Sequence, residues 1–214
     1  MSGKSIYMHE TQTKPTPMLR ISLYNEKLNP LCFSWVFILL LLPTTFHGVH
    51  GAADPNLISN VCKKSVADHH GQLKYDFCVS SLKADPKSKT YDIFDLGYLS
   101  YNNTLKKAIL IKSYIQHLLK DGKQSPDVMV RLKECAKSDY WDTDINMEGA
   151  IEAFLSADFP TAGIYVDFVS SSKKECQSRF DGGIISPLTK LENEFAQLIS
   201  IAFTLTDMNT PIDD

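Results

Sequence analysis

The residues best suited to chemistry in this 214-residue chain are its five cysteines, at positions 32, 62, 78, 135 and 176. A thiol can bind zinc, attack as a nucleophile or pair as a disulfide, and spacing and compartment decide among these. Cys62, Cys78, Cys135 and Cys176 are separated by 15, 56 and 40 residues, with no Cys-x-x-Cys pair. His69-His70 would be half of a metal site, but no third ligand accompanies it, and a solvated turn is the plainer reading. Asp139, Asp142 and Asp144 form an acidic segment suited to calcium, to a basic partner rim or, most commonly, to a solvated helix surface. Trp141 lies among them and reads as a core or groove-covering residue rather than an interface anchor. Asn102-Asn103-Thr104 is a glycosylation sequon. Gly-x-Ser-x-Gly, His-Glu-x-x-His and phosphate-loop patterns are all missing from the sequence, so an enzyme is not expected.

The compartment follows from the N-terminus. Residues 31–42 read LCFSWVFILLLL, preceded by Lys14, Arg20 and Lys27 and followed by Pro43 and Gly51-Ala52-Ala53. Twelve apolar residues fall short of the roughly 20 that cross a bilayer, and the pattern is that of a secretory signal over 1–53, with Met18 as an alternative start. Cleavage near Ala53 removes Cys32 and leaves 54–214 with an even count of cysteines, for which disulfides are the default in an oxidising compartment. Residues 54–214 carry 18 Lys and Arg against 23 Asp and Glu, a net charge of −5. Such an acidic chain does not suit a nucleic-acid backbone. Its length suits one core.

Helical periodicity must position these residues nearly throughout. Asp54-Pro55 opens a short helix bearing Leu57, Ile58, Val61 and Cys62, and a second short helix bears Tyr75, Cys78, Val79 and Leu82 before Asp85-Pro86. A long helix over about 91–120 carries Phe94, Leu105, Ala108, Ile109, Ile115, Leu118 and Leu119, with Gly122 as its C-terminal cap. The next starts at Ser125-Pro126 with Val128, Leu132 and Cys135 on one stripe, and its apolar residues resume at Ile151, Phe154 and Leu155. Phe159-Pro160 marks a turn. A further helix carries Ala162, Val166, Val169 and Cys176 and stops at Gly182-Gly183, and Ser186-Pro187 opens the last, striped by Leu188, Leu191, Phe195, Leu198, Ile199, Ala202 and Leu205. The pattern predicts an all-α, up-and-down four-helix bundle with an N-terminal helical hairpin. Proximity alone pairs Cys62 with Cys78 and Cys135 with Cys176.

The spacing C-x15-C around Tyr75-Asp76-Phe77-Cys78, Leu82 with Ala84-Asp85-Pro86, the later C-x40-C and Ser186-Pro187-Leu188 together resemble the plant invertase/pectin methylesterase inhibitor family over 54–207. Within it the chain is most similar to the pollen-allergen-like invertase-inhibitor subgroup. The resemblance implies a secreted helical bundle of the apoplast or cell wall, with these two disulfides and no cofactor. Its implied partner is a carbohydrate-active enzyme, pectin methylesterase or acid invertase, bound in a non-covalent one-to-one complex, with no nucleic acid and no membrane after signal cleavage. Invertase-directed members carry Pro-Lys-Phe between the second and third bundle helices, where this chain reads Asp158-Phe159-Pro160-Thr161. Pectin methylesterase is therefore the favoured partner. The expected contact surface is the exposed side of those two helices, including Asp139, Asp142 and Asp144. A lipid or hormone carrier and a storage-type protein are the alternatives, and single apolar stripes leave little to line a carrier's cavity.

Overall fold

The computed structural model describes residues 54–69 and 71–211, so the expected signal segment 1–53 and His70 lie outside the described residues. Seven α-helices are found among them: α1 (Leu57–Asp68), α2 (Tyr75–Lys83), α3 (Ile93–Asp121), α4 (Pro126–Glu134), α5 (Thr143–Leu155), α6 (Phe159–Ser178) and α7 (Thr189–Asn209). A 3-10 turn, Pro86–Thr90, links α2 to α3. Local chemistry explains most ends. Asp92 and Asp95 form a reciprocal capping box at the start of α3, and Gly122 ends it in the left-handed region at φ 66°. Ser125 caps α4 with Pro126 in its first turn, and Asp158 caps α6 by accepting from the Thr161 amide.

Several boundaries differ from the sequence expectation. Asp54 accepts from the Asn56 amide at 2.8 Å and so caps an opening turn, with α1 itself starting at Leu57. The bend expected at Phe159-Pro160 falls earlier, around Ala157, whose φ of 57° turns the chain, and Phe159 already belongs to α6. The second long helix is two pieces. After α4, Cys135–Asp139 forms a π turn in which the Tyr140 amide donates to the Cys135 carbonyl at 2.8 Å, and the chain breaks before restarting as α5.

The bundle is up-and-down. α3 packs against α5 and α7, and α6 packs against the same two helices from the other side. The α1–α2 hairpin docks mainly on α7. α7 is consequently buried on two faces: Phe195, Ile199 and Ala202 enter the bundle core, while Leu198, Ile201 and Leu205 pack against Ile58, Val61 and Leu82 of the hairpin. The sequence shows one stripe on this helix, and the second face is a consequence of the hairpin. Ile109, expected inside, is 45% exposed, and Ile111 takes the core position instead.

Disulfides Cys62–Cys78 and Cys135–Cys176 hold the hairpin and the junction of the π turn with α6. The loop closed by the second is long enough to contribute roughly 3–4 kcal/mol in the chain-entropy model. At one end of the bundle the fully buried Phe154 ring stacks on Phe94 at 4.9 Å and meets Tyr101 and Phe159 at 4.9 and 5.4 Å. This close approach requires Gly97, because a Cβ there would run into the Phe154 ring. Gly97→Ala is expected to destabilise the protein by about 1–2 kcal/mol despite better helix propensity, an overpacking effect measurable by urea denaturation.

Candidate functional site

The acidic segment does not present its three carboxylates together. The extra residue of the π turn swings Asp139 inward, where it is fully buried and bound in bidentate fashion by Arg179, at 2.5 Å from Nε and 2.8 Å from Nη2. Asp139 therefore does not belong to an exposed contact surface. Asp144 is half-buried and accepts from the Lys112 ammonium at 2.8 and 2.9 Å, and only Asp142 points freely to solvent. Trp141 is 66% exposed, which excludes the core half of the core-or-groove-covering expectation, and the Lys112 ammonium lies 5.9 Å from its ring. Among the described residues the one group with ligand atoms close enough for a metal is Cys135, Asp139 and Cys176, and its sulfurs are consumed in the disulfide. His69 is a half-buried residue ending α1, its ring 6.5 Å from that of Phe203.

Besides charged residues such as Glu148, Glu152 and Asp167, the second and third bundle helices expose large apolar side chains. Trp141 and Ile145 stand out at the start of α5, and Ile164 and Phe168, one turn apart on α6, are each more than half exposed. The seam between these helices is close, for a Cβ on Gly149 would lie 3.0 Å from the Tyr165 ring. Since α5 and α6 run antiparallel, that register brings Ile145 to the level of Phe168. Exposed apolar side chains of this size are common at interaction surfaces. The pair Ile164 and Phe168 was visible in the sequence as an i, i+4 apolar pair off the buried stripe.

The turn joining these helices is exposed over Leu155–Asp158, but its phenylalanine is not presented. Phe159 is only 7% exposed and sits edge-on to Phe154, which leaves Asp158 and Pro160 as the exposed residues of Asp158-Phe159-Pro160-Thr161. The sequon also sits on regular helix: Asn102 is half-buried and its amide donates to the Tyr98 carbonyl at 2.8 Å, while Thr104 is fully buried.

Beneath the acidic segment lies a buried polar cluster that sequence reasoning missed. Glu192, on α7, has no exposed surface, and its Oε1 accepts from the Tyr140 hydroxyl at 3.4 Å while Oε2 has no partner. Burial pushes its carboxyl up to about 7, against opposing effects from Lys173 and the Tyr140 hydroxyl. Burial likewise pushes the Tyr140 phenol above its ordinary range, with Glu192 adding to the effect. The Asp139 carboxylate holds the Arg179 guanidinium above its already high value. A carboxyl at this position stays neutral in acid and can donate as well as accept a hydrogen bond.

The comparisons agree with a binding protein. The family described as "Plant invertase/pectin methylesterase inhibitor" matches residues 56–205. A curated protein of Platanus acerifolia named "Putative invertase inhibitor" is 33% identical, covering 83% of this chain and 95% of its own. A "Pectinesterase inhibitor" of Actinidia deliciosa is 23% identical, again over 83% and 95%. Among solved structures, a mutant form of a pectin methylesterase inhibitor from Arabidopsis shares the fold with a TM-score of 0.58 at 19% identity, covering 71% of this chain and 95% of that one. With helices, disulfides and matched span in agreement, the chain belongs to the plant invertase/pectin methylesterase inhibitor family, whose members are proteinaceous enzyme inhibitors and not enzymes.

Proposed function

We propose that this protein is secreted to the plant cell wall and inhibits a pectin methylesterase by forming a non-covalent one-to-one complex through the exposed face of α5 and α6. The observation that carries the choice of target is the α5–α6 turn. It lacks Pro-Lys-Phe, and its phenylalanine, Phe159, is committed to the core beside Phe154. An inhibitor that works by projecting that turn needs those side chains free, whereas one that lays helix faces over a cleft does not. The rigid seam at Gly149 and Tyr165 and the disulfide beside α6 keep the face preformed, which limits the entropy lost on binding. No helix among the described residues is long and apolar enough to cross a membrane.

A second reading is favoured by the relatives at 33% and 32% identity, both named as invertase inhibitors, against 23% for the pectinesterase inhibitor. Titrating the purified protein against a pectin methylesterase and an acid invertase near pH 5 decides between them. Inhibition of the esterase is the expected result, and inhibition of invertase alone would overturn it. Phe168→Asp is expected to weaken inhibition by tenfold or more, equivalent to about 1.4 kcal/mol, with an unchanged melting temperature because Phe168 is exposed. An unchanged inhibition constant would remove this face from the contact.

A further inference from the structure

On the side of the protein formed by α6, α7 and the α1–α2 turn, a groove of about 530 Å³ is lined by Gln72, Lys74, Lys173, Lys174, Asn193 and Gln197. A smaller hollow of about 200 Å³ shares Gln72, Lys173 and Lys174 with it and extends it toward His69, Asp167 and Ser170. The wall is held in place: the Lys74 amide donates to Gln197 Oε1 at 3.0 Å, and Gln197 Nε2 donates to the Asn193 carbonyl at 3.4 Å, which clamps the hairpin turn to α7. The α5–α6 face has no residue in this groove.

Three ammonium groups thus face one concavity in a segment whose net charge is −5. None of them is ion-paired among the described residues, although Lys64, Lys107, Lys112 and Lys123 all are. Burial and the neighbouring Lys174 hold the Lys173 ammonium below its usual range, while buried Glu192 acts in the opposite sense. An anion in the groove would relieve this unfavourable charge. The lining narrows the choice of anion. It contains no arginine, the residue that grips phosphate in bidentate fashion, but offers lysines as point charges for carboxylates, with the side-chain amides of Gln72 and Asn193 for neutral hydroxyls. Its continuation into a second hollow gives room for more than one such unit, with Asp167 the one carboxylate on the combined lining.

We propose that this groove binds an acidic oligosaccharide of the uronate class, each carboxylate meeting a lysine and the ring hydroxyls meeting Gln72 and Asn193. The preference for uronate over other anionic sugars rests on the reading of the protein as an inhibitor of a pectin-processing enzyme, while the groove does not depend on it. Such a site would retain the inhibitor where de-esterified pectin, the product of the proposed target, accumulates.

The test is calorimetric titration of the purified protein, at pH 5 and low salt, with a de-esterified oligogalacturonate of about ten units. The same oligomer fully methyl-esterified, and a polyphosphate of similar length, serve as comparison ligands. Binding of the de-esterified oligomer is expected, weakened at least tenfold in the double variant Lys74→Gln, Lys174→Gln and unchanged in Lys106→Gln, Lys120→Gln, whose exposed lysines lie on α3. Thermal melting checks that both variants fold. The proposal is overturned if nothing binds, if the esterified oligomer or polyphosphate binds equally well, or if the α3 variant loses as much affinity. The groove variant is also expected to inhibit pectin methylesterase normally, so loss of sugar binding and loss of inhibition can be told apart.

Discussion

Replacing Arg179 by methionine is expected to destabilise the protein by about 3–5 kcal/mol, the cost of leaving a buried carboxylate without its partner. Asp139 has no exposed surface, and Arg179 supplies two of its hydrogen bonds at 2.5 and 2.8 Å. The pair also joins the π turn to the C-terminal end of α6, next to Cys135–Cys176, so its loss acts where the two pieces of the second bundle helix meet. For a domain of this size the expected fall in Tm is roughly 6–20 °C. Two further variants separate charge from packing. Arg179→Lys keeps the charge but not the bidentate geometry and should lose less, and adding Asp139→Asn to Arg179→Met should recover part of the loss, because the stranded charge is then gone. A loss below 1 kcal/mol for Arg179→Met would show that the Asp139 site relaxes or hydrates without its partner.

Glu192 is expected to make the protein more stable in acid than at neutral pH. Its carboxyl titrates near 7 in the folded protein against an ordinary value of 4.5, so the native state holds a proton that the unfolded state releases between those values. The contribution is complete below about pH 4.5 and is lost as pH rises through 7. At 1.36 kcal/mol per unit the span is on the order of 3 kcal/mol. Glu192→Gln keeps the shape and removes the titration, so the variant should match the parent near pH 4.5 and exceed it at pH 8 by as much as about 3 kcal/mol. Urea unfolding of both proteins from pH 4.5 to 8 measures this directly. Parallel curves would mean that Lys173 and Tyr140 already hold the carboxylate ionised.

Much of the architecture is legible in the sequence because it is written in short-range patterns. The apolar steps of three and four along α6, the Gly122 cap and the Ser125-Pro126 start each depend on a few neighbouring residues, and the structure has them in place. Cys62 and Cys78 lie on adjacent arms of a hairpin, and Cys135 and Cys176 on consecutive antiparallel segments, so chain proximity leaves little choice of pairing. The family signature is equally a matter of spacing.

The placement of the acidic segment was not legible in this way. One residue added to a helical turn rotates everything after it by about 100°, which is enough to send Asp139 inward and Trp141 outward. Whether a π turn forms depends on the partners it finds, here Arg179 and the Cys176 sulfur, some 40 residues away. Glu192 is hidden for a related reason. On α7 alone it falls beside the apolar stripe and reads as solvated, and only the approach of the segment around Tyr140, with Lys173 of α6 nearby, places it in the interior. Local periodicity, helix caps and cysteine order thus came from the sequence by itself, because each is decided within a few turns of chain. The exposed face, the buried carboxyl and the lysine groove came only from tertiary packing, because each is made by segments that approach from far apart.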